Sequence, residues 1–157
     1  MGIQVLGSGA VDKVTDIAVT AISLGATVDQ LSSMDFAYAP PFSTAIHPLA
    51  TSINVLMNKM DGAMDSVSPA EYAEGAAEDY EIIDCAKAPA LAGRRYVNLA
   101  SIQGELEGFG KDDKLLLVCT RGRQAYLAHN RLKYYGYTQT KVLEGGATFT
   151  EIESDEE

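Results

Sequence analysis

The chain has 157 residues, room for one ordinary domain or two small ones, and 46% of them are apolar, enough to pack a core throughout. Its 12 basic and 22 acidic residues give a net charge of -10. That argues against nucleic acid or an anionic membrane as partner, because both need a basic face.

Two cysteines, Cys85 and Cys119, make no disulfide framework and suit a reducing, cytoplasmic setting. No apolar run approaches a membrane span, and the start Met1-Gly-Ile-Gln-Val-Leu-Gly7 lacks the basic residues and cleavage site of a signal peptide.

In chain order, Ile3–Leu6 reads as a short strand that Gly7-Ser-Gly9 interrupts. Asp12 is expected to cap a helix reaching about Leu24, with Gly25 as its stop. Thr27 opens a second, short capped turn. Ala37-Tyr-Ala-Pro-Pro-Phe-Ser43 is an extended loop, because its two prolines fix φ and exclude helix. Helical spacing returns at Ile46, Leu49, Ile53, Leu56, Met57 and Met60, and Pro48 fits if the helix starts near His47. Asp61–Ser66 is small and polar, as in a linker. Ser68-Pro-Ala-Glu71 combines an N-cap, a proline at N1 and an acidic N3, and so marks a new helix. Tyr80–Cys85, Tyr96–Leu99, Leu115–Val118 and Lys141–Leu143 read as strands. Gln103–Phe109 reads as a short helix and Ala125–Tyr135 as a longer one. Strands alternating with helices make residues 66–150 an α/β unit with a parallel sheet.

The chemistry concentrates in Lys114–Gly146. An apolar strand delivers Cys119 to its end, the loop Thr120-Arg121-Gly122-Arg123-Gln124 follows, and a helix begins at once. Loop amides, a helix N-terminus and two arginines all favour thiolate over thiol. A cysteine phosphatase would need an arginine six positions after the cysteine, where Ala125 stands. Sulfur transfer needs only an amide cradle and positive charge. Gly7-Ser-Gly9 followed by Asp29 mimics a dinucleotide fingerprint, but Asp12 stands where the third glycine belongs. Cys85 could resolve a persulfide, yet it continues a buried strand and is read as core. His129 is read as surface or packing and His47 as a helix-start residue. Neither has metal-ligand companions. Tyr134, Tyr135 and Tyr137 are read as packing, and Met57, Met60 and Met64 as core or dimer surface.

Residues 66–150 resemble a single rhodanese domain. Ile82-Ile-Asp84 is similar to its opening strand, and Arg95-Tyr-Val-Asn-Leu99 to a second segment. Cys119-x-x-Gly122 with Gly136-Tyr137 is similar to its active loop and the helix that follows, and Leu143-Glu-Gly-Gly146 to its closing signature. Residues 10–60 resemble part of the C-terminal dimerisation domain of flavin-dependent pyridine nucleotide-disulfide oxidoreductases. The branch is that of coenzyme A-disulfide and polysulfide reductases. Asp12-Lys13, Asp16-Ile17 and Ala37–Ser43 carry this likeness. The implied organisation is a partial dimerisation domain at 1–62, a linker at 63–67, a rhodanese-like domain at 68–150 and an acidic tail at 151–157. The implied fold class is α/β, a rhodanese-like parallel sheet flanked by helices after a mainly helical α+β segment.

The resemblance implies that Cys119 carries sulfane sulfur as a persulfide, cradled by the amides of Thr120, Arg121, Gly122, Arg123, Gln124 and Ala125. It implies that Asp84 supports the loop, and that Tyr38 reaches the partner subunit's active site in a whole enzyme. No cofactor or metal site is implied within the chain. FAD, NAD(P)H and coenzyme A are implied for the whole enzyme, with a sulfane donor, a thiol acceptor and self-association through residues 10–60. Gln124 replaces the usual loop arginine and Ala86 the arginine two places after the motif acid. The alternative reading is therefore a catalytically inert binding or dimerisation module on the same fold.

Overall fold

The computed structural model describes residues 2–152. Of the expected acidic tail, Glu153, Asp155, Glu156 and Glu157 lie outside the described residues. The chain divides into two compact units, Met1–Asp61 and Gly62–Glu157.

The first unit is helical. Helix α1 (Val11–Ser23) ends where Gly25 takes a left-handed φ of 72° and its N–H donates to the Ile22 carbonyl. Asp12 is not its cap. The N-cap is Ala10, without a side-chain bond, and Asp12 lies inside the first turn, where its charge still complements the helix dipole. Helix α2 (Val28–Ser32) starts with a reciprocal capping box between Thr27 and Gln30. Helix α3 (Pro48–Met60) has proline at N1, and the His47 ring accepts the Leu49 N–H. Ala18, Ala21, Leu31, Leu49 and Ile53 form the core of this unit. Ile3–Leu6, expected as a strand, is irregular, and Leu6 is 98% exposed. Among the described residues it pairs with no strand, and a lone extended segment has no ladder to hold it.

The second unit is a five-stranded, wholly parallel sheet in the order β1-β5-β4-β2-β3. The strands are β1 (Ser66–Val67), β2 (Glu81–Asp84), β3 (Arg95–Tyr96), β4 (Leu115–Val118) and β5 (Thr140–Leu143). Ser66 and Val67, the end of the stretch expected as linker, are thus an edge strand. It was too short to show a period of its own. Helices α4 (Pro69–Ala73) and α5 (Arg123–Tyr134) complete the α/β pattern. The Ser68/Glu71 capping box opens α4 as the sequence implies.

All four residues of β4 are buried because both faces of the sheet are covered. Leu115 and Leu117 face α5 with Ile83 and Val142, while Leu116 and Val118 join Val67 and Leu143 on the other face. Helix α5 buries Ala125, Ala128, His129 and Leu132, the i, i+3, i+4, i+7 stripe of a helix lying on a sheet. Gln103–Phe109, expected as a helix, is irregular. Gly108 has a φ of 81°, and the Leu106 N–H is taken by the Tyr137 hydroxyl at 2.7 Å instead of a carbonyl one turn back. The Arg95 guanidinium donates to the Glu107 carbonyl and stacks on Phe109, which fixes the segment without a helix.

His129 is fully buried. Its Nε2 accepts the Asp65 N–H at 3.3 Å and its Nδ1 lies 2.8 Å from Thr140 Oγ1, so the proton belongs on Nδ1. The ring ties the start of the unit to β5. Burial, then the positive charge of Lys133, push its pKa from the ordinary 6.5 down to about 4. The unfolded chain therefore binds the proton first as pH falls, and stability drops between about pH 6.5 and 4. The loss should reach about 3 kcal/mol. Urea melts should show a steeper fall across this window for the wild type than for His129→Gln. Equal slopes would contradict the assignment.

Candidate active site

In a parallel sheet all strands end at one edge, where ligand sites of open α/β folds form. Two of those ends carry the candidate residues. Asp84 ends β2, Cys119 follows the end of β4, and the loop from Thr120 leads into α5.

Cys119 is 3% exposed and its Sγ accepts the Ala125 N–H at 3.5 Å. Gly122, with a φ of 85°, is the N-cap of α5 and turns the chain so sharply that the first helical turn faces back toward the cysteine. An anionic sulfur at this point meets an amide and the positive end of a 12-residue helix. At the other end of α5, Arg131 and Lys133 complement the dipole. Arg121 on the loop and Arg123 at the first position of α5 are exposed to solvent. Thr120 is exposed and Gln124 half-buried.

The loop is braced from behind by residues whose role the sequence did not reveal. The Cys119 carbonyl accepts the Ala147 N–H at 3.0 Å. The Thr120 carbonyl accepts the Thr148 N–H at 3.1 Å and its hydroxyl at 2.5 Å. These donors arrive on the short 3-10 turn Gly146–Thr148, reached through Gly145 and Gly146, both at positive φ. The Gly145-Gly146 pair was a usable signal, since consecutive glycines mark a backbone that must pass close to something. Thr148 gave no signal of its own.

Asp84 is fully buried, and its carboxylate accepts three backbone N–H groups: Ala86 at 2.9 Å, Ala90 at 2.6 Å and Leu91 at 3.0 Å. Backbone donors thus satisfy the buried carboxylate, and the same bonds shape the 85–91 loop beside the cysteine loop. Asp84→Ala removes all three acceptors and should cost about 3 kcal/mol in urea unfolding. Trypsin should also cut faster after Lys87, inside that loop. An unchanged cleavage rate would show that the loop holds itself.

Tyr38 belongs to the other unit, where it is 58% exposed beside a turn closed by the Phe42 and Ser43 N–H groups on the Ala39 carbonyl. Met57 packs against the core of the first unit, Met60 is exposed, and Met64 packs against the core of the sheet unit. Tyr137 is buried and Tyr134 is 83% exposed. Among the described residues, no cluster of three or more His, Cys, Asp or Glu side chains is placed to hold a metal ion. Among them also, no helix is long and apolar enough to cross a membrane.

The second unit thus has a rhodanese-like α/β fold, with Cys119 at the end of its central strand. The match to solved structures extends beyond that domain. The chain is 34% identical to an NAD-dependent persulfide reductase from A. fulgidus, with a TM-score of 0.76, over 91% of this chain and 26% of that one. It is 27% identical to the reduced CoADR-RHD of Bacillus anthracis, with a TM-score of 0.77, over 88% of this chain and 26% of that one. The chain therefore corresponds to the C-terminal, rhodanese-bearing segment of proteins of the CoA-disulfide and persulfide reductase type, and spans about a quarter of their length. No family model matches the chain, and no curated protein does.

Proposed function

We propose that this chain is a sulfurtransferase module in which Cys119 carries sulfane sulfur as a persulfide. One observation carries the reading: Cys119 stands at the carboxyl end of the central strand with its sulfur on the N–H of Ala125, in the first turn of α5. The similarity to a persulfide reductase and to CoADR-RHD supports it.

The Cys119 thiolate attacks the outer sulfur of a donor. A new S–S bond forms on Cys119, the donor's own S–S bond breaks, and the rest of the donor leaves with the electron pair. The negative charge then rests on the terminal sulfur, where the first-turn amides and the positive end of α5 stabilise it. Arg121 and Arg123 attract the anionic donor. An acceptor thiolate removes the terminal sulfur and restores Cys119.

In a whole enzyme the acceptor would be a coenzyme A thiol or the flavin-linked disulfide site, with FAD and NAD(P)H held by domains outside this chain. Tyr38 would serve that site across a dimer formed through residues 10–60. The direct test is single-turnover transfer from inorganic polysulfide to coenzyme A thiol by the chain alone. One equivalent of sulfur delivered per Cys119 supports the module. No delivery, with the loop folded, favours the inert alternative.

A further inference from the structure

Cys85 and Cys119 occupy equivalent positions on neighbouring strands. Asp84 pairs with Val118 in the parallel β2–β4 register, and each cysteine follows its member of that pair by one residue. The backbone pairing continues at this point, since the Cys85 N–H donates to the Val118 carbonyl at 2.7 Å. Adjacent strands lie about 4.8 Å apart. Disulfides form between Cα atoms roughly 4.4–6.8 Å apart. Residues level with each other on parallel strands point to the same face, and both cysteines are buried in the same core cluster with Ile83 and Leu117. Both are free thiols. Cys85 lies outside the loop, donates to nothing in the sulfur-transfer steps, and has no role in them.

We propose that Cys85 is a resolving thiol that discharges the Cys119 persulfide within the domain, leaving a Cys85–Cys119 disulfide and releasing hydrosulfide. This rests on the persulfide reading above. The Cys85 sulfur attacks the inner sulfur, Cys119 Sγ. The Cys85–Cys119 bond forms, the bond between Sγ and the terminal sulfur breaks, and the terminal sulfur leaves as hydrosulfide with the electron pair. The proton given up by Cys85 ends on the departing sulfide. The two cysteines are each oxidised by one electron and the sulfane sulfur is reduced by two. Two equivalents of an external thiol, oxidised to their own disulfide, return the pair to its starting state.

Burial, with the negative charges of Asp84 and Cys119, pushes the Cys85 thiol up to about 12. Resolution is therefore slow at neutral pH and leaves time for an acceptor to take the sulfur first. The device is a default exit: without an acceptor, the loaded domain empties itself and locks.

The test loads the full chain with inorganic polysulfide, removes the donor, and follows hydrosulfide release and non-reduced tryptic peptides. Wild type should release one equivalent of sulfide and link the peptide containing Cys85, which ends at Lys87, to Leu115–Arg121. Cys85→Val and Cys85→Ala should keep the one-sulfur adduct, with no linked peptide. Two small substitutions guard against one that fails to fold. If wild type holds its adduct as long as both variants, the resolving role is overturned and the persulfide reading stands. If neither wild type nor the variants gain an adduct, both are overturned.

Discussion

Gly146→Ala is expected to collapse the active loop. A Cβ on Gly146 would lie far inside van der Waals contact of the Cys119 carbonyl oxygen and 2.9 Å from the carbonyl carbons of Cys119 and Thr120. These are backbone atoms, so no rotamer change relieves the clash. The φ of 60° adds a left-handed penalty of about 1–2 kcal/mol for alanine. Overpacking adds about 1–3 kcal/mol. The combined loss of about 2–5 kcal/mol should appear in urea unfolding. Sulfur uptake should fall with it, because the Ala147 and Thr148 donors that hold the Cys119 and Thr120 carbonyls must move. Thr148→Val is the control. It removes only the hydroxyl bond to Thr120 and should cost about 1 kcal/mol while the loop stays formed. A Gly146→Ala protein with wild-type stability and sulfur uptake would mean that the brace is not needed.

Cys119→Ser should leave the fold intact and remove sulfur transfer by roughly a thousandfold or more. The substitution changes one atom in a site already lined by an amide donor, so the hydroxyl can accept the Ala125 N–H as the sulfur did. It cannot form a persulfide. The variant thus separates chemistry from architecture: urea unfolding within about 1 kcal/mol of wild type, with no sulfur taken from polysulfide. Transfer by the serine variant at the wild-type rate would place the sulfur elsewhere and remove Cys119 from its role.

Much of the local structure around the candidate site was legible in the sequence because its signals are local. Leu115–Val118 is an uninterrupted apolar run, as a strand buried on both faces must be. A loop leading straight into a helix was expected after Cys119, with the helix from Ala125; it starts two residues earlier, at Arg123, because Gly122 takes the left-handed N-cap position. The boundaries of α2, α3 and α4 were written in their caps: Thr27 with Gln30, Pro48 after His47, and Ser68 with Glu71. What stayed hidden was non-local. The Tyr137 hydroxyl that claims the Leu106 N–H comes from 31 residues away, and it overrode helical spacing at 103–109. Strand β1 is two residues long and exists only because β5 offers it an edge. The Asp84 amide bonds, the brace behind Cys119 and the alignment of Cys85 with Cys119 all depend on the fold bringing distant segments level.

The buried histidine shows the same limit from another side. On its helix, His129 reads only as one position of the stripe that contains Ala125, Ala128 and Leu132. Its bonds to Asp65 and Thr140 join the entry of the unit to β5, which no helical period announces.

The most direct measurement is the position of the sulfur itself. The full chain is exposed briefly to inorganic polysulfide, quenched in acid, alkylated and digested with trypsin, and the peptides are weighed. The account predicts one added sulfur on Leu115–Arg121, which contains Cys119, and none on the peptide ending at Lys87, which contains Cys85. An unmodified Leu115–Arg121 peptide, or sulfur found only with Cys85, would contradict it.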